Sequence, residues 1–180
     1  MSESQTVIKC IPISRAGYEA YGDLICADEA LKFKPANMGT AKRFNYLSNV
    51  ENLRQGTRDQ LPAKTEARLN LCVFRVEPAR MPLEIKLLER HEFSTQVFLP
   101  MSETSKFLVI VSLGSSAPDL DSLRAFVVEG AQGISYKPGV WHYPMTALDN
   151  RIDFACLVWE DGTKDDCELS HFSDAIRIEL

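Results

Sequence analysis

The sequence predicts a mainly β fold, a barrel or double sheet of short strands with a few short helices. Roughly nine or ten short runs of apolar or alternating residues recur along the chain at near-regular spacing. Pro, Gly, Asn and Asp separate these runs and supply the turns between strands. Only one stretch, Ser14 to Tyr21, reads as helix.

Thr6 to Ile13 reads as the first strand, closed by Pro12. Ser14 can cap the short helix that follows, and Gly22 is placed to end it in the left-handed region. Leu24 to Ala27 is a second short strand. From Asp28 to Gly39 the pattern weakens, and Pro35, Asn37 and Gly39 mark a loop. Arg43 and Asn45 then stand between apolar residues, as solvated groups or as groups reaching a ligand from an edge. Residues 48–66 are polar, carry Gly56 and Pro62, and read as a surface excursion. Arg68 to Val76 follows as a buried strand in which Arg75 is the conspicuous charge. It is either an edge ion pair or a ligand-binding cation.

Pro78 and Pro82 frame the turn into a strand beginning at Leu83. Thr95 to Met101 is a short strand stopped by Pro100. After a turn at Glu103 to Lys106, Phe107 to Leu113 is continuously apolar, as expected of a strand buried on both faces. Leu123 to Val128 and Ile134 to Tyr136 are further strands, joined by the turn that Gly130 and Gly133 bracket. In Arg151 to Glu160, Ile152, Phe154, Cys156 and Val158 alternate with Asp153, Ala155, Leu157 and Trp159. His171 lies in a polar tail with no pattern around it and is assigned no role. No internal repeat is visible, so residues 1–180 are expected to form one domain.

Two stretches carry the chemistry. In the first, Pro82 to Gln96, Leu83, Ile85, Leu87, Glu89 and His91 share one parity. A regular strand would therefore send Glu89 and His91 inward behind the apolar side chains. A carboxylate and an imidazole at the end of a buried face must be paired, ligated or facing a cavity. The second stretch is Pro138-Gly139-Val140-Trp141-His142-Tyr143-Pro144. Its turn residues place His142 where a strand begins, at the mouth of a sheet or barrel. Alone, such a histidine is more often a hydrogen-bonded core residue, and Glu89-x-His91 shifts that balance.

Composition narrows the partners. The chain is 45% hydrophobic and 25% charged, with a net charge of −5 and no Lys/Arg cluster. That argues against nucleic acid or an anionic membrane and favours a small molecule. No apolar run is long enough to span a bilayer, and MSESQT lacks the features of a signal peptide. The five cysteines include no C-x-x-C pair and are odd in number, consistent with a reduced, intracellular and cytoplasmic protein. Cys72 and Cys156 fall inside apolar strands and read as small core residues.

The order Glu89-x-His91, Gln96, then Pro138-Gly139-x-x-His142 resembles the two-part signature of the cupins, which fold as β-barrels or double-stranded β-helices. Glu89 stands at the first His of that pattern, His91 at the second, Gln96 at its later Glu, and His142 at the third His. The replacements leave a mixed set that can hold a divalent ion or serve as a metal-free acid/base site. The longer runs LLERHEFSTQVFLPM, SLRAFVVEGAQGISYKPGVWHYP and RIDF resemble the ureidoglycolate lyase family within the cupins. That resemblance implies a single cupin-like domain, a homodimer and a lyase of allantoin and purine breakdown that cleaves ureidoglycolate to glyoxylate and urea. Glu89, His91 and His142 would supply acid and base. Arg75, Gln96, Trp141 and Tyr143 would bind substrate, and Glu89, His91, Gln96 and His142 are the candidate metal ligands. Two other functions fit the same residues: a cupin-like module that binds a small ligand without turnover, and a metal-dependent oxygenase or isomerase.

Overall fold

Alternating and doubly apolar runs become strands wherever turn residues let neighbouring strands pair. In the computed structural model, residues 5–56, 66–103 and 105–180 are described. The chain opens with β1 (Val7–Lys9), β2 (Ile11–Pro12), the helix α1 (Arg15–Tyr18), β3 (Leu24–Ile25), β4 (Phe33–Ala36) and β5 (Ala41–Phe44). Then come β6 (Arg68–Val76), β7 (Leu83–Arg90), β8 (Gln96–Pro100), β9 (Lys106–Leu113) and β10 (Asp119–Glu129). The last are β11 (Gly133–Tyr136), β12 (Trp141–His142), β13 (Thr146–Ala147), β14 (Ile152–Glu160) and β15 (Glu168–Glu179).

A large sheet runs β1-β15-β7-β12-β9-β10-β2, with β13 also on β9, and a second runs β3-β11-β8-β14-β6. The large sheet curls until β1 touches β10, which makes it a nearly closed barrel. The expected mainly β, barrel-like architecture is the one observed. β9 shows why its apolar run is continuous. Phe107, Val109 and Val111 enter a core shared with the second sheet, while Leu108 and Ile110 enter a core inside the curl. Each such side chain contributes about 1.5–3 kcal/mol by burial.

Several expectations are corrected. The segment read as loop from Asp28 to Gly39 contains β4, which pairs with β5 from Phe33↔Phe44 to Ala36↔Ala41. The polar tail forms β15. Gly22 is not among the glycines with positive φ. It is needed for close approach instead, because a Cβ there would lie 1.7 Å from the Ser135 carbonyl oxygen. Residues 48–54 lie along residues 93–95, held by Leu53 N–H to the Phe93 carbonyl and Glu51 N–H to Thr95 Oγ1. The remainder of the expected excursion at 57–65 falls outside the described residues.

β6 is an edge strand and not a buried one. Cys72 and Val76 pack on the core and Phe74 meets Phe98 edge to face. On the outer face Leu69, Leu71 and Val73 stay 44%, 69% and 61% exposed. β7 also departs from regular alternation. Ile85 and Leu88, three residues apart, enter the same core. Opposite them the pairing jumps from Leu87↔His171 to Ile85↔Ile176, so β15 bulges there. Glu89 and His91 therefore face away from Ile85 and Leu88, and the bulge aims them at the second sheet.

Candidate active site

The site forms where β12 wedges between β7 and β9. His142 is the register partner of both Glu89 and Val111. Gly139, at φ 79°, makes the turn before it, a conformation that favours glycine. The Gly139 N–H donates to the His91 carbonyl at 3.0 Å, which ties the turn to the end of β7. Glu89, His91 and His142 each direct one ligand atom into a common space, all within 4.8 Å of one another.

Both imidazoles are held from behind. His91 Nδ1 lies 2.5 Å from the Asp166 carbonyl, and His142 Nδ1 lies 2.9 Å from the Val140 carbonyl. Each Nδ1 must carry the proton it donates, so in the neutral rings Nε2 presents a bare lone pair. His142 Nε2 lies 3.7 Å from Glu89 Oε1, and the two imidazole rings stack at 5.5 Å. Burial, helped by His91, lowers the His142 pKa to about 3, so this ring is neutral at physiological pH. Burial also raises the Glu89 pKa, against the pull of His91 and of a hydrogen bond from Cys167. Two lone pairs and a carboxylate meeting at one point can hold a divalent ion or exchange protons with a bound molecule.

The ureidoglycolate lyase family model matches residues 5–179. A ureidoglycolate lyase from Escherichia coli O1:K1 / APEC is 36% identical over 162 residues, 90% of this chain and 92% of its own length. One from Shigella boydii serotype 18 matches to the same extent. The chain belongs to the ureidoglycolate lyase family. Among solved structures, a dTDP sugar isomerase from Desulfovibrio desulfuricans G20 superposes with a TM-score of 0.44 at 17% identity, covering 84% of this chain and 85% of its own.

For a ureidoglycolate lyase family member, the cluster differs in part from the expected one. Gln96 is buried and pairs across the strands with Tyr136, at the border of the cluster. Trp141 and Tyr143 are not brought there. They flank His142 in sequence and so point to the opposite face, where Trp141 is buried in the second core and Tyr143 packs against it. Arg90 stacks on Trp141 at 4.5 Å. Arg75 is not at the cluster either. It is 62% exposed on β6 and forms a two-pronged pair with Asp153, with both bonds at 2.8 Å.

Residues that sequence reasoning missed complete the site. Tyr136 lies flat on His142, with ring centroids 4.0 Å apart and planes 9° apart. Burial and then Glu89 push its phenol pKa up. Cys167 Sγ approaches Glu89 Oε2 at 3.8 Å. Arg54 donates to Asp166 Oδ1 at 2.7 Å and to the Trp159 carbonyl at 2.9 Å, bracing the loop whose carbonyl holds His91. Arg54 belongs to the polar excursion, where no periodicity marks it. Tyr136 sits on a strand buried at all four residues, so alternation could not single it out.

Proposed function

We propose that this protein cleaves ureidoglycolate to glyoxylate and urea at the cluster of Glu89, His91 and His142. The observation that carries the proposal is the convergence of a carboxylate and two bare imidazole nitrogens at the end of β7, in a chain of this family. Ureidoglycolate is a hemiaminal, with hydroxyl and ureido nitrogen on one carbon. As its hydroxyl proton leaves, the C–O bond becomes a carbonyl, the C–N bond breaks, and the nitrogen gains a proton to leave as urea. Glu89 and His142, in contact with each other, accept the hydroxyl proton. His91 Nε2, within 4.8 Å of both, takes over that same proton and delivers it to the ureido nitrogen, so the enzyme ends the cycle in its starting protonation state.

The donor set also fits a divalent cation, since His91 Nε2 and His142 Nε2 are buried without partners beside Glu89. These three residues would hold it, with Gln96 at the border. Such an ion supplies Lewis acidity that lowers the pKa of a bound hydroxyl. Release of glyoxylate and urea before and after chelation, with metal content measured, tests the proposal. Equal amounts of both products support it, and chelation shows whether an ion contributes. No turnover with or without added divalent ions would leave a site that only binds.

We further propose a homodimer, a single cupin-like domain over residues 1–180 and a reducing, cytoplasmic setting. The exposed row Leu69, Leu71 and Val73 on edge strand β6 supports self-association. The odd cysteine count supports the compartment. Light scattering on wild type and Leu71→Asp tests the dimer, which the charge should dissociate.

A further inference from the structure

Among the described residues, four buried polar atoms around the cluster have no hydrogen-bond partner: Nε2 of His91, Nε2 of His142, Oε1 of Gln96 and the hydroxyl of Tyr136. Because the Nδ1 atoms of both imidazoles face backbone carbonyls, their Nε2 atoms offer lone pairs, and Gln96 Oε1 is likewise an acceptor. Only Tyr136 brings a proton to donate, because a phenol keeps its hydrogen at neutral pH. Tyr136 is 1% exposed, lies flat on His142, and pairs across the strands with Gln96. A hydroxyl buried in this way without a bond destabilises the fold, so its presence here calls for a ligand.

We infer that Tyr136 contacts the substrate directly, its hydroxyl donating a hydrogen bond to the ureido carbonyl oxygen of bound ureidoglycolate. The inference rests on the activity proposed above. When the C–N bond breaks, its electron pair moves onto the ureido nitrogen and is shared with that carbonyl oxygen until the nitrogen is protonated. A fixed neutral donor there binds the transition state more tightly than the ground state, and so raises kcat more than it lowers KM. The acceptors around it suit the other end of the chemistry, where the substrate offers a hydroxyl proton and N–H groups. No other unpartnered atom of the cluster can serve an oxygen in this way.

Tyr136→Phe keeps the ring against His142 and removes only the hydroxyl. In the protein as purified, kcat for ureidoglycolate should fall about 10- to 1000-fold, with KM changed less than about threefold. The denaturation midpoint should stay equal or rise, since an unbonded buried hydroxyl is gone. Unchanged kcat, or a rise in KM alone, would overturn the inference. So would a clear drop in the midpoint, which would show that the hydroxyl has a structural partner. Wild-type protein without any turnover would bring down the proposed activity and the inference together. Wild-type turnover matched by Tyr136→Phe would bring down the inference alone.

Discussion

Replacing His142 by Asn should change how stability depends on pH, by an amount set by the ring's burial. In an unfolded chain the imidazole takes up a proton near its ordinary pKa of 6.5, whereas in the folded protein it does so only near 3. Between those values the unfolded chain holds the extra proton. Stability therefore rises with pH through this window and is lost as pH falls below 6.5. At about 1.4 kcal/mol per pH step, the loss between pH 7.5 and 5 from this group is about 2 kcal/mol. Glu89 works in the opposite sense, because its pKa is raised and its contribution improves on acidification. Asn keeps a donor for the Val140 carbonyl and cannot titrate, so comparison with wild type isolates the histidine. Urea denaturation in the presence of EDTA at both pH values gives the two differences. Wild type should lose about 2 kcal/mol more than His142→Asn over this interval. Equal losses would refute the claim that His142 is held neutral by burial.

Other perturbations follow from the same geometry. Gly22→Ala drives a Cβ to 1.7 Å from the Ser135 carbonyl, next to Tyr136. Thermal denaturation should show a loss of about 3 kcal/mol or more, and kcat should fall as Tyr136 shifts. Arg54→Gln removes the brace on Asp166, the loop residue whose carbonyl holds His91. It should lower kcat/KM about tenfold, with part of the rate recovered in Arg54→Lys, as steady-state kinetics would show. Arg75→Ala removes an exposed, solvent-screened pair with Asp153 and should leave the chemical denaturation midpoint close to that of wild type.

Much of the fold was legible because its strands obey simple burial rules. Phe107 to Val111 faces a core on each side and is apolar throughout. His142 was legible because Pro138 and Gly139 announce the turn before it. Glu89 and His91 were legible as an inward pair, though for a different reason: the bulge opposite Leu87, and not uninterrupted alternation, gives them their face. The same bulge hid β15, whose residues between His171 and Ile176 break the period. β6 looked buried because Leu, Val and Phe fill both its faces, and sequence cannot show which face lacks a cover. Trp141 and Tyr143 were misplaced because adjacency in a strand means opposite faces. Arg75 found its partner across the sheet in Asp153, a pairing fixed only once β6 and β14 align.

The most direct measurement is the amount of glyoxylate and urea released from ureidoglycolate by wild type and by Glu89→Gln, with the folding of both checked by denaturation. Gln preserves the shape of the side chain but cannot accept the hydroxyl proton. Wild type should release the two products in equal amounts, and the variant should fall at least about a hundredfold in rate while remaining folded. Wild-type protein without turnover, or a variant as active as wild type, would contradict cleavage at the Glu89, His91 and His142 cluster.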